Sequence, residues 1–478
     1  MANHQQRLVA SGLRYGKARP TPTFLRLLLL FLVFFVVASL IFVPRHLFPL
    51  GPSEADEERF YESVASCSPL AKGTICCDRS AYRTDVCFMG GDVRTHSPSG
   101  SILLLSSSAR TSRMQEERIR PYTRKWENGT MATIDELRLR AADGAAVPAC
   151  DVHHDVPAVV FSNGGFTGNV YHEFNDGLIP LYITSHQFSR RVVFLVVEYH
   201  DWWFSRYRDV LSRLSDFPPV DFSKDNRTHC FPQAVVGLKI HDELSINPSL
   251  MPGNKSIRDF RRVLDDAYKP RVEAMLRGGG EEEEGSRSNR PKLVLVLRKG
   301  SRKLENQREL VELAGDMGFE VEVVWPQVTV ELAEIYRALN ACDVMVGVHG
   351  AAMTHFLFMR PGSVFVQIVP LGTNWAAEAY YGRPARKLGL TYVRYEILPK
   401  ESSLYRDYEK EHPVLAEPER MTAKGWGVTK KIYLNGQNVN LDLTRFRDTL
   451  VRAYEHVVEE KQRKILMQRM YIGGKKKV

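Results

Sequence analysis

No Asp-x-Asp triplet occurs anywhere in the 478 residues, so the paired carboxylates that commonly hold Mg²⁺ or Mn²⁺ against a nucleotide diphosphate are missing. No metal ligand set is expected. The glycine-rich stretch at Gly164, Gly165 and Gly168 lacks the spacing of a dinucleotide fingerprint and is followed by no P-loop lysine, which excludes both of those phosphate cradles. Cysteine is scarce: seven residues, and Cys67, Cys76, Cys77 and Cys87 are too irregularly spaced for zinc pairs. Disulfides of an oxidising compartment account for that cluster better. The pairing stays open, seven leaves at least one over, and Cys342, before an apolar strand, reads as an inert core thiol.

Acidic residues are absent before Glu54, whereas Arg7, Arg14, Lys17, Arg19 and Arg26 are all basic. Leu27 to Val43 follow as 17 residues that are apolar except for Ser39, the short limit of a bilayer span. The positive-inside rule keeps the N-terminus cytosolic and sends the rest to the lumen, and a short span suits an early secretory membrane such as the Golgi. The expected layout is a cytosolic tail over 1–26, a signal anchor over 27–43 and a stem over 44–65. Sequons at Asn128, Asn226 and Asn254 lie on the luminal side, where they are accessible to N-glycosylation. Of 65 basic and 56 acidic residues, five basic ones precede residue 27, so the remainder carries +4. That balance excludes a nucleic-acid binder and still suits an acidic polysaccharide.

Beyond the stem, residues 66–277 read as a mixed α/β domain on the acceptor side, with strands at Ser101 to Leu105, Ala158 to Phe161 and Val192 to Val197. The glycine and glutamate run over 278–289 reads as a linker. Residues 290–443 alternate regularly: strand Leu293 to Leu297, helix Leu304 to Met317, strand Glu320 to Val324, helix Val330 to Asn340, strand Val344 to Val348, helix Ala351 to Met359 and strand Val364 to Val369. This is a parallel sheet with helices on both faces, and its ligand belongs at the carboxyl ends of the strands. Residues 444–478 form a terminal helix and a basic tail.

Two constellations fall at such strand ends. Arg298, Lys299 and Arg302 follow the first strand of the second domain, and His349, Gly350, Ala351, Ala352 and Thr354 form the turn after the third. Guanidinium groups and a helix N-terminus there suit a diphosphate. In the first domain, Asn163, Gly164, Gly165 and Asn169 lie on a strand-to-helix loop that admits a sugar closely. His172, Glu173 and Asp176 follow, with His172 and Asp176 at i,i+4 on one helix face. That group is placed to supply a general base to a hydroxyl.

The motifs Cys77-Asp78-Arg79-Ser80, Ser162-Asn163-Gly164-Gly165, His172-Glu173-Phe174-Asn175-Asp176 and Val348-His349-Gly350-Ala351-Ala352-Met353-Thr354 resemble plant glycosyltransferase family 61, the xylan arabinosyl- and xylosyltransferase group. The resemblance implies a GT-B fold, two Rossmann-like domains facing a cleft, on a type II Golgi membrane protein. It also implies inverting, metal-independent transfer from UDP-arabinofuranose or UDP-xylose to a xylan acceptor, in company with other xylan synthesis enzymes. Stretches around His349 and Trp375 look most like the α-1,3-arabinosyltransferase members, with β-1,2-xylosyl transfer as the alternative. On that footing Asp176 or Glu173 is the expected base, His172 orients it or shares the proton, and Arg298, Arg302, His349 and the turn bind UDP. Glu378 is expected to hold ribose hydroxyls. The reading from another class is a membrane-tethered xylan-binding protein without turnover.

Overall fold

The computed structural model describes Cys67 and residues 73–105, 116–142, 147–278 and 290–475, all within one compact unit, Arg59–Val478. The expected anchor over 27–43, the stem and most of the 278–289 run lie outside the described residues. Among the described residues no helix is long and apolar enough to cross a membrane.

Two sheets organise the chain, and both belong to a mixed α/β fold. The first contains β1 (Thr74–Asp78), β2 (Val86–His96), β3 (Ser101–Leu105), β4 (Glu116–Ile119), β5 (Leu137–Ala142), β6 (Val152–His153), β7 (Ala158–Ser162), β8 (Val193–Val197), β9 (Val220–Asp221) and β10 (His229–Val236). Their order is β4-β5-β3-β2-β10-β7-β8-β9, with β1 on β2 and β6 on β10. Strands β10, β7, β8 and β9 run parallel, but β2 is antiparallel to β1, β3 and β10. This half is therefore mixed rather than the Rossmann-like parallel sheet expected from the sequence. The short Cys77-to-Cys87 connection folds β1 back on β2, which a parallel crossover of a dozen or more residues would not allow.

Disulfides close this half. Cys67 pairs with Cys76, Cys77 with Cys87 and Cys150 with Cys230, while Cys342 is free and buried. Burial pushes the Cys342 thiol up to about 12, as expected for an inert core sulfur.

The second sheet is wholly parallel: β11 (Lys292–Val296), β12 (Glu320–Val324), β13 (Val344–Val348), β14 (Val364–Val369) and β15 (Thr391–Glu396). Every residue of β13 and β14 is buried, because helices cover both faces of a parallel sheet. Spatial order β12-β11-β13-β14-β15 is the doubly wound 2-1-3-4-5 arrangement, whose winding reverses between the first and third strands, here β11 and β13. Connections leave to opposite faces at that point. In doubly wound sheets the ligand crevice belongs at such a point, and here the strand ends carry Arg298 and His349.

One apolar core joins the halves. Phe174 from the first half meets Phe260 and Phe358 at ring-centroid distances of 6.4 and 6.1 Å, and helix Ile257–Gly278 supplies both Phe260 and Tyr268 to it. Buried Arg261 on that helix donates to the carbonyls of Phe358 and Met359 at 2.7 and 2.9 Å. It thereby ties the helix to the end of the turn that begins at Gly350. Helix Leu443–Lys475 buries Phe446, Leu450, Ala453 and Val457 at helical spacing.

Candidate active site

The turn after β13 begins at Gly350, whose φ of 149° is strained for any residue with a Cβ. A Cβ there would lie 2.2 Å from Arg298 Nη1 and 3.1 Å from Arg302 Nη1. Glycine therefore makes room for two guanidinium groups, and both donate to the backbone carbonyl of His349, at 3.1 and 2.9 Å. The segment that follows, Ala351–Phe358, is a 3-10 helix rather than the α-helix read from the sequence. Met353 N–H donates to Gly350 O at 2.8 Å, and His355 Nδ1 lies 2.8 Å from Ala352 O. Ala351 and Ala352 remain partly exposed, whereas Thr354 is buried.

Among the described residues neither arginine faces a carboxylate, and the Nε of each is buried without a hydrogen-bond partner. Burial lowers both guanidinium groups, Arg302 to about 9 with Arg298 adding repulsion. Two buried cations brought to one carbonyl at this cost are an arrangement that suits an anion. Lys299 is not part of it, since its Nζ turns to Gln327 Oε1 at 3.3 Å.

The His349 ring is buried, and desolvation together with Arg302 and Arg298 drives its pKa well below the usual range. Gln367 Nε2 donates to His349 Nδ1 at 2.8 Å, while Tyr392 O–H donates to Gln367 Oε1 at 2.6 Å. That relay fixes the neutral tautomer with the proton on Nε2. His349 is accordingly a donor through Nε2 and carries no charge.

The second constellation sits on a continuous helical segment, Val170–His172, Glu173–Leu178 and Ile179–Ser185, whose middle portion is a π-helix. Such bulges often coincide with functional sites. His172 Nδ1 and Asp176 Oδ2 are 2.6 Å apart, and Asp176 also receives Asn175 Nδ2 at 2.8 Å and Arg124 Nη1 at 3.4 Å. Asp176 is 2% exposed. His172 keeps 15% of its side chain exposed, and its Nε2 has no hydrogen-bond partner among the described residues. Phe166 stacks on the ring at 4.3 Å.

Glu173 is differently employed. It is buried, which raises its pKa, and its two oxygens accept from Tyr207 O–H and, at 3.1 Å, from Gly168 N–H. It anchors the glycine-rich loop to helix Asp201–Leu214. Asn169 caps the helical segment, accepting from Tyr171 N–H at 3.1 Å. Asn163 accepts from Thr167 Oγ1 at 3.2 Å and leaves Nδ2 buried and unpartnered. Gly164 packs against Ile134 and Ser162, and at Gly165 (φ +62°) a Cβ would strike the Tyr122 ring at 2.6 Å. Glu378 forms an ion pair with Arg386 at 2.5 Å. Asn128, Asn226 and Asn254 are all exposed.

Tyrosines bring the two constellations together. Tyr171, next to His172, lies 6.1 Å from Tyr381 and 5.3 Å from Tyr380, and Tyr381 lies 5.4 Å from His349. The sequence reading missed Arg124, Arg83, Glu243, Gln367 and these tyrosines. Arg83 pairs with Glu243 at 2.9 Å, and Glu243 also accepts from Tyr171 O–H. Tyr171 lies inside the loop-to-helix constellation, and Gln367, Tyr380 and Tyr381 lie in stretches that carry part of the family resemblance without a role assigned to them, whereas Arg124 had only the basic and aromatic run Tyr122-Thr123-Arg124-Lys125-Trp126, which lacks any periodicity.

The glycosyltransferase 61 family profile matches residues 169–366, from the Asn169 cap into the first half of β14. The chain is 56% identical over 393 residues to xylan glycosyltransferase MUCI21 of Arabidopsis thaliana, covering 80% of this chain and 79% of that protein. Identity is 36% over 393 residues to beta-1,2-xylosyltransferase XYXT1 of Oryza sativa subsp. japonica, 79% and 83% of the two chains. It is 35% over 382 residues to alpha-1,3-arabinosyltransferase XAT3 of the same organism, 80% and 65%. With its parallel sheet, buried cation pair and matching motifs, the chain belongs to glycosyltransferase family 61 and is a glycosyltransferase enzyme.

Proposed function

We propose that the enzyme transfers a pentose from a UDP-sugar to xylan with inversion, on a GT-B scaffold. The observation carrying this reading is the pair Arg298 and Arg302, buried with no carboxylate partner among the described residues, one chain of tyrosine contacts away from the His172–Asp176 pair. Xylan enters from the relatives named above, and their identities of 36% and 35% give no preference between xylosyl and arabinosyl donors. The α-1,3-arabinofuranosyl expectation is thus one of two arms of the test.

In this mechanism His172 Nε2 accepts the proton of the acceptor hydroxyl as its oxygen bonds to the sugar's anomeric carbon. The bond from that carbon to the diphosphate oxygen breaks, and its electron pair leaves with UDP. Asp176 holds the Nδ1 proton and stabilises the imidazolium as it forms, a histidine–carboxylate arrangement that recurs in acyl transfer. Arg298, Arg302 and His349 Nε2–H meet the charge growing on the diphosphate, which supports a metal-independent reaction. Glu173 holds the loop instead of moving a proton. The three disulfides and the exposed sequons support a luminal domain, anchored through 27–43 in the Golgi membrane.

The test incubates the full-length chain with xylo-oligosaccharide and either UDP-arabinofuranose or UDP-xylose, with and without chelator, followed by mass and linkage analysis. Product from one donor, undiminished by chelator, is expected. No product from either, together with no calorimetric heat on adding UDP, overturns the reading.

A further inference from the structure

Four large aromatic rings stand exposed among the described residues, Tyr82, Trp202, Trp375 and Trp426, and two of them connect inward toward His172 and Asp176. Tyr82 is 62% exposed and Trp375 48%, and they come from different halves of the chain. Tyr82 stacks on Trp126 at 5.2 Å with 14° between planes. Trp126 is backed by Arg124 at 4.6 Å and Arg83 at 5.2 Å, and Arg124 reaches Asp176 at 3.4 Å. Trp375 meets Tyr380 edge-on at 5.6 Å, Tyr380 lies 5.3 Å from Tyr171, and Tyr171 lies 5.1 Å from His172. Each exposed ring therefore leads by short contacts to the same His172–Asp176 pair, Tyr82 to Asp176 and Trp375 to His172, from different halves of the chain.

We propose that Tyr82 with Trp126, and Trp375 with Tyr380, are stacking platforms that bind the acceptor xylan chain on either side of the sugar being modified. A xylopyranose ring has no exocyclic hydroxymethyl group, so a xylan chain presents flat C–H faces to aromatic rings and keeps its hydroxyls at the rim. Such faces suit a rigid ring that is apolar on its surface and polar at its edge. Cation–π contacts from Arg83 and Arg124 hold Trp126 in place, so little side-chain entropy is lost on binding. Contacts this distant from the reacting hydroxyl add affinity for long acceptors and position the chain, but leave the chemical step to His172.

The proposal rests on xylan being the acceptor, and its test reads the platforms separately from the donor site. Full-length Tyr82→Ala, Trp375→Ala and the double variant are compared with wild type by retardation in native gels containing xylan, by KM for xylohexaose and xylobiose, and by UDP calorimetry. Loss of retardation in the double variant is expected. KM for xylohexaose rises about 3- to 10-fold per ring, while KM for xylobiose, kcat and UDP affinity stay within about twofold and report an intact fold. Tyr82→Phe and Trp375→Phe restore most of the xylohexaose affinity. Equal retardation of wild type and double variant, or an unchanged xylohexaose KM, overturns the platforms. A wild type that is retarded by xylan but takes up no UDP overturns the proposed function and leaves the platforms standing.

Discussion

Arg302 is predicted to lower the stability of the unliganded enzyme, so that replacing it by methionine strengthens the fold while removing its function. Burial and the neighbouring Arg298 lower the guanidinium from its ordinary value to about 9, and at about 1.4 kcal/mol per unit this caps the cost of holding the charge near ~5 kcal/mol. Solvent reaching a partly exposed group screens much of that. One hydrogen bond to His349 O, worth about 1 kcal/mol, is lost with the side chain. Arg302→Met, similar in length and apolar, then nets roughly 1–2 kcal/mol of stabilisation. For the compact unit Arg59–Val478, an unfolding entropy of about 2.1 cal/mol/K per residue converts this to a rise in Tm of about 1–2 °C. In the wild type, UDP at a hundred times its Kd adds about 2.7 kcal/mol, or roughly 3 °C, and the variant loses most of that shift. The assay is thermal unfolding with and without UDP. A variant that melts below wild type without UDP, or one that gains the full UDP shift, refutes the argument that these cations await an anion.

Among the three residues of the helical segment, His172→Gln and Asp176→Asn are expected to lower kcat by about 10²–10⁴-fold at unchanged UDP affinity, whereas Glu173→Gln costs less than about tenfold; equal losses in steady-state assays would return Glu173 to the chemistry. Stability should fall as pH drops from 7 to 5, because burial holds His349 well below its usual pKa and His355 and His241 at about 4. The unfolded chain takes up protons below about pH 6.5 that the native state refuses. Glu173, raised by burial, acts in the opposite direction, so the net loss is roughly 1–2 kcal/mol per histidine less one carboxylate; a urea midpoint that stays level or rises toward pH 5 contradicts this. Opening the 80-residue Cys150–Cys230 loop with Cys150→Ser and Cys230→Ser together should cost about 2–5 kcal/mol, read from the same urea titrations at pH 7.

The second half was legible because its signals are local. Continuous apolar runs such as Val344–Val348, separated by amphipathic stretches, can only fold as a parallel sheet covered on both faces, and strands β12, β13 and β14 begin and end where the sequence places them. The i,i+4 spacing likewise sets His172 over Asp176 whatever surrounds them, and the observed pair is 2.6 Å apart. Strand β15 escaped because Thr391–Glu396 mixes exposed and charged residues at the edge of its sheet, where one side needs no apolar cover. The first half was harder, since the antiparallel pairing at its centre, β10 on β2, joins segments more than a hundred residues apart. No periodicity encodes such a partner.

Residue type and spacing determined which groups are available: a histidine over a carboxylate, a glycine in a turn, arginines after a strand. Burial and distance between segments decided what each does. Glu173 and Asp176 are both acidic and three positions apart, but Tyr207 and Gly168 occupy one while His172 and Arg124 meet the other. Arg298 and Arg302 come together only because the β11–β13 reversal sets them against Gly350, with no carboxylate among the described residues acting on either. Desolvation and Coulomb energies depend on that three-dimensional neighbourhood and not on order along the chain.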